Sequence, residues 1–83
     1  MVQLRYFASL RERLGIGEET VSLPVHVNTV AGLQLWLQER GTLWAETLAD
    51  QRLLVAVNQD ISERNASVSD GDEIAWLPPV TGG

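Results

Sequence analysis

The 83-residue chain contains no cysteine and no lysine. Without cysteine it can build no disulfide framework, bind no metal through thiolates and use no thiol nucleophile. Any sulfur chemistry must therefore run through a group other than a side-chain thiol. Without lysine it has no side-chain amine to form an isopeptide bond, accept a Schiff base or contact an ATP phosphate as a P-loop does. All its cations are arginines, at 5, 11, 13, 40, 52 and 64. Histidine is reduced to His26, which has no metal-ligand spacing around it and is expected in a surface loop. Positive charge is scarce overall. A net charge of −5 and a pI near 4.6 leave no cationic footprint with which to neutralise nucleic-acid phosphates. No apolar run approaches the roughly 18 residues of a membrane span. The opening MVQLRYFASLRERLG interrupts its apolar residues with Arg5, Arg11 and Arg13, so no signal-peptide core is expected. The expectation is a cytoplasmic protein without membrane or nucleic-acid partners.

Catalytic signatures are missing as well. The chain has neither a G-x-x-x-x-G-K nor a G-x-S-x-G stretch. Its carboxylates, among them Glu18, Glu19, Asp70, Asp72 and Glu73, stand at strand starts and turns and are expected to be solvated. Trp36, Trp44 and Trp76 suit core or edge packing, each with an indole N–H that needs a partner. On side chains alone the domain carries no catalytic apparatus.

What is present is a pattern of short elements. VQLRYFA alternates and carries Val, Tyr and Phe, which predicts a strand over 2–8. SLRERLG follows, with Ser9 and Glu12 spaced as a capping box and Gly15 at the stop position, predicting a short helix over 9–14. EETVSLP is a second alternating strand, ended by Pro24. Thr29 is placed to cap the main helix, predicted from Val30 to Arg40, with Val30, Leu33, Trp36 and Leu37 on one face. TLWAETLAD is a second helical piece, capped by Thr42. LLVAVN at 53–58 is a continuous apolar run, the mark of a strand buried on both faces. Asn58-Gln59-Asp60 turns the chain into a short segment around Ile61, Asp70-Gly71 tips a polar turn, and EIAWLPPV forms the last strand. A hairpin, a helix and further strands in one small chain predict an α+β domain with a helix packed across a mixed sheet. The β-grasp (ubiquitin-like) arrangement has this order, with its first and last strands parallel at the sheet centre.

The domain is predicted over 1–77 and a tail over 78–83. Pro78 and Pro79 favour a semi-rigid extended spacer, Val80 and Thr81 are β-branched, and Gly82 and Gly83 have no side chain. A terminal glycine pair arises by chance only about once in 200 chains. The tail is expected to be mobile in the free domain and to reach up to ~20 Å, thin enough to enter a narrow site in another protein. The only reactive group it delivers is the Gly83 carboxylate. That group is a poor electrophile, so a partner must activate it.

The run DGDEIAWLPPVTGG, with LRYFASLRERLG and LLVAVNQ, resembles the small-subunit family of molybdopterin synthase, a family of ubiquitin-like sulfur carriers. The likeness covers essentially the whole chain. It departs at Trp76-Leu77, where the family often has two phenylalanines. The resemblance implies that an enzyme of the ubiquitin-activating (E1-like) class adenylates Gly83 with Mg·ATP, and that sulfur from a persulfide donor replaces AMP. The resulting thiocarboxylate enters the large synthase subunit and donates sulfur to cyclic pyranopterin monophosphate, building the dithiolene of molybdopterin. The chain itself then binds no cofactor and acts as the donor subunit of a heterotetramer of two small and two large subunits. By the same resemblance Gly82 and Gly83 carry the chemistry. Phe7, Ile61 and Leu77 form the docking patch with Arg11 as a rim ion-pairing contact, and Pro78, Pro79, Val80 and Thr81 are held by the partner. A thiamin-pathway sulfur carrier and a ubiquitin-like protein modifier share the fold and the diglycine, and a plain interaction module is the outside choice; intact mass distinguishes a thiocarboxylate, a large conjugate and neither.

Overall fold

The computed structural model describes residues 1–79. The chain runs β1 (Val2–Tyr6), α1 (Ser9–Leu14), β2 (Glu18–Val21), α2 (Val30–Gln38), α3 (Thr42–Thr47), β3 (Leu54–Val57), β4 (Asp60–Ser62) and β5 (Glu73–Leu77). The five strands form one sheet in the order β2-β1-β5-β3-β4. The first and last strands pair in parallel and every other pair is antiparallel. A mixed sheet with its last strand central and its main helix across one face is the β-grasp arrangement expected from the element order.

Alternation along the strands decides which face is covered. Val2, Leu4 and Tyr6 of β1, Val55 of β3, and Ile74 and Trp76 of β5 point inward and are almost wholly buried. Val30, Leu33 and Leu37 of α2 cover them, while Trp36 packs only at the margin of this core. Tyr6 stacks against Trp76 with ring centres 5.8 Å apart, and Trp44 of α3 meets Tyr6 edge-on at 5.5 Å. The Trp76 indole N–H, expected to need a partner, has none among the described residues.

Several local expectations hold, and several are corrected. Thr29 caps α2, its hydroxyl accepting from the Gly32 N–H at 3.1 Å. Gly15 ends α1 in the left-handed conformation, donating to the Arg11 carbonyl at 2.9 Å. Asn58 and Gln59 both take positive φ, the geometry that suits a tight hairpin between β3 and β4. The capping box does not form. Ser9 is already helical, and Ala8 ahead of it makes no side-chain cap at φ 53°. That positive φ also stops β1 at Tyr6 rather than residue 8, because the chain must reverse there to enter α1. Thr42 likewise is the first residue of its helix, and Gly41 precedes it at φ 143°, a value glycine tolerates. The second strand ends at Val21 and the main helix at Gln38, both short of their predicted limits. In β3 the two ends are only partly covered, and full burial on opposite faces is confined to Val55 and Ala56.

Candidate docking face and tail root

Strand register assembles the outer face of the sheet, the one away from α2. Arg5 stands beside Ala75, Ala75 beside Ala56, and Ala56 beside Ile61, a row crossing β1, β5, β3 and β4. The next row places Leu54 beside Leu77, and Phe7 reaches it because its N–H donates to the Trp76 carbonyl at 3.2 Å. Ile61 is 64% exposed and Phe7 39% exposed, large apolar groups that a chain with enough core would cover. Around the two alanines lies an open cleft of about 330 Å³, walled by Phe7, Ile61 and Leu77 and edged by Arg5, Gln59 and Glu73.

Phe7, Ile61 and Leu77, the three residues that the family resemblance nominates for a docking patch, thus line one cleft. Arg11 is not in this cleft. It lies on α1 around the Phe7 corner, lining a neighbouring depression that shares Arg5 and Phe7. Its side chain lies against Gly17, where an added Cβ would meet the guanidinium Nε at 2.9 Å. Arg5 is the cation the sequence did not single out. It sits 5.7 Å over the Phe7 ring and within 4.0 Å of Glu18 and 3.9 Å of Glu73. Alternation could have flagged it, since residues 5 and 7 of one strand share a face. At such lengths and exposure these pairs contribute little stability, and they give the apolar patch a rim of both signs.

Leu77 ends β5 at the sheet centre, and Pro78 and Pro79 continue beyond it, partly buried and outside the strand ladder. The remaining tail positions, Val80, Thr81, Gly82 and Gly83, lie outside the described residues. His26 is exposed in the loop between β2 and α2. Among the described residues no group of His, Asp and Glu is placed to hold a metal ion, and no helix is long and apolar enough to cross a membrane.

One carboxylate expected to be solvated is not. Glu19 accepts from the Tyr6 hydroxyl at 2.8 Å and takes both guanidinium branches of Arg40, at 2.7 and 2.9 Å. Arg40 in turn lies 4.5 Å over the Trp44 ring. Planarity lets one arginine pair with a carboxylate and stack on an indole together, which lysine could not do. Burial by itself would raise the Glu19 pKa, but the hydrogen bonds from Arg40 and then Tyr6 outweigh it and hold the carboxyl below its ordinary range. Burial first, then the bond to Glu19, pushes the Tyr6 phenol far up. Glu19→Ala should strand the Tyr6 hydroxyl in the core and cost about 1–3 kcal/mol, a drop of roughly 4–8 °C per kcal/mol in Tm. Because the folded carboxyl titrates lower than the unfolded one, its stabilisation is complete above the ordinary Glu value of about 4.3. It is lost as pH falls through the lowered folded value. Urea midpoints of wild type should therefore fall more steeply below that point than those of Glu19→Gln. Parallel acid limbs would show that Glu19 is not the coupled group.

The pattern of the ThiS family matches residues 4–83. A Haemophilus influenzae protein named molybdopterin synthase sulfur carrier subunit is 37% identical over 83 residues, covering all of both chains. An Escherichia coli protein of the same name is 36% identical, again over the whole of both. Among solved structures, a chain in the Helicobacter pylori complex of subunits 1 and 2 of molybdopterin-converting factor superposes with a TM-score of 0.67 at 29% identity. That match covers 99% of this chain and 97% of the other. With matches running the length of the sheet and through the diglycine, this chain belongs to the ThiS family and, within it, to the molybdopterin synthase sulfur carrier subunits.

Proposed function

We propose that this chain is the cytoplasmic sulfur carrier of a molybdopterin synthase, with the Gly83 carboxyl as its working group. An E1-like adenylyltransferase couples that carboxylate to Mg·ATP, releasing pyrophosphate and leaving a glycyl adenylate. The terminal sulfur of a persulfide donor displaces AMP, and a thiol reductant breaks the S–S bond to free the thiocarboxylate. In the large subunit the thiocarboxylate sulfur displaces an oxygen substituent from a side-chain carbon of cyclic pyranopterin monophosphate, a C–O bond breaking as the C–S bond forms, which leaves the pterin joined to Gly83 as a thioester. Hydrolysis then returns the Gly83 carboxylate. A dithiolene needs two sulfurs and so two loaded carriers, which suits an assembly of two small and two large subunits. This is covalent catalysis with the nucleophile on the backbone terminus, in keeping with a chain that has no cysteine.

The observation that carries this reading is geometric. The central strand runs out at Leu77 directly into Pro78-Pro79, beside an exposed apolar patch of Phe7 and Ile61. A partner that docks on the patch is within reach of the tail. The test is intact mass after incubation with the activating enzyme, ATP and a persulfide donor, followed by assay of pterin product with the large subunit. Replacement of one oxygen by sulfur and formation of dithiolene product are expected. A large conjugate on other proteins, with no thiocarboxylate, would overturn the proposal in favour of a protein modifier.

Gly83→Ala refines the test, because it keeps the carboxylate and the length of the chain. A close-fitting channel has no room for the extra methyl, and overpacking costs about 1–3 kcal/mol. Thiocarboxylate formation or transfer should slow by about ten-fold or more, at ~1.4 kcal/mol per decade. Wild-type rates in both steps would exclude a tight channel around the terminus.

A further inference from the structure

The floor of the outer cleft is made of the two smallest side chains on that face. Ala75 and Ala56 pair across β5 and β3 at the middle of the sheet, with Arg5 and Ile61 flanking them in their row. Each is only 7% exposed although, among the described residues, no element lies above it, because Phe7, Ile61 and Leu77 stand taller around it. Alanine is a poor strand former, and an alanine pair forgoes the cross-strand packing that larger residues would supply here. On the inner face of the same strands the neighbouring positions are Ile74, Trp76 and Val55. The outer face keeps a depression where the inner face is filled.

We propose that Ala56 and Ala75 are specificity-determining residues, forming a socket for one apolar side chain of the large synthase subunit. This rests on the functional reading above. The volume, about 330 Å³, is at the small end of the ~300–1,000 Å³ of ligand pockets. Its polar groups, from Arg5, Gln59 and Glu73, stand at the edge, and the floor offers methyl groups alone. That suits a single Leu-, Met- or Phe-sized knob within a polar rim, the common form of a protein–protein hot spot. The partner is set by continuity. Leu77 is at once a wall of the socket and the last strand residue before the tail, which extends at most ~20 Å. A protein that holds the end of the tail in its active site therefore has this wall within reach.

The test is association of the full-length chain with the large subunit, by calorimetry, for wild type, Ala75→Leu, Ala75→Val and Ala75→Ser. Leucine fills the socket and should weaken binding about ten-fold or more, as overpacking does. Valine should have an intermediate effect, and serine, which keeps the space, should stay close to wild type. Thermal unfolding should change little, since the added atoms project into the cleft and away from the core. A folded Ala75→Leu that binds as tightly as wild type overturns the socket while leaving the carrier function intact. Should the leucine variant fail to fold, Ala75→Val decides, because β-branched residues are favoured in strands. Wild-type affinity in that variant overturns the proposal equally. Intact large-subunit binding with impaired adenylation would assign the socket to the activating enzyme and also overturn it. A wild-type chain that neither binds the large subunit nor accepts sulfur brings down both readings.

Discussion

Removal of Gly82 and Gly83 is expected to leave the unfolding transition unchanged and to abolish sulfur transfer. The core is built from side chains between Val2 and Trp76, and glycine has no side chain to add to it. The shortened chain still ends in a carboxylate, but that carboxylate sits on Thr81, two residues and up to ~7 Å short of the original. Reacting atoms must approach within about 3–3.5 Å, so a displacement of this size removes productive geometry at both the adenylation and transfer steps. The new terminus also carries a β-branched side chain where the original had none. Calorimetric unfolding, intact mass and pterin product formation on the same preparation check all three parts. A truncated chain that still acquires sulfur would show that the terminal carboxylate of Gly83 is not the carrier. A large fall in Tm would make the diglycine a structural element.

Ile61→Glu should give the second largest effect, at the other end of the same process. Ile61 is 64% exposed on the three-residue edge strand β4, so its replacement should change stability by no more than about 0.5 kcal/mol. In the docked state the glutamate would be buried against apolar surface without a partner. Loss of an apolar contact and burial of a lone charge together should weaken association with the large subunit by about 100-fold, ~2.7 kcal/mol. The tail is untouched. With thiocarboxylate formed beforehand, the apparent KM for the carrier should rise while the rate at saturation stays near that of wild type. A fall in the saturated rate with unchanged affinity would place Ile61 in the chemistry rather than in docking.

Much of this protein follows from properties local to the sequence. The absence of cysteine and lysine excludes whole classes of chemistry without reference to any fold. Thr29 ahead of an apolar-periodic run, Gly15 after a short helix and Asn58-Gln59 between two strands act within a few residues. Their structural outcomes were therefore readable in advance. By contrast, the last strand, expected to run through EIAWLPPV, ends at Leu77, because proline has no N–H to give the ladder. Tertiary structure decided what depends on partners distant in sequence. Periodicity says that Arg5 and Phe7 share a face, but only the parallel register of β1 with β5 sets them beside Ala75 and Leu77. Only the β3 pairings bring Ala56 and Ile61 into the same patch. Glu19 looks like any solvated strand carboxylate until Tyr6, 13 residues away, and Arg40, 21 residues away, converge on it. Arg11, carried on α1, lines the depression next to the cleft rather than the cleft itself. Local propensity acts over one or two turns of chain, whereas register and ion pairing are fixed only when the whole sheet closes over its core.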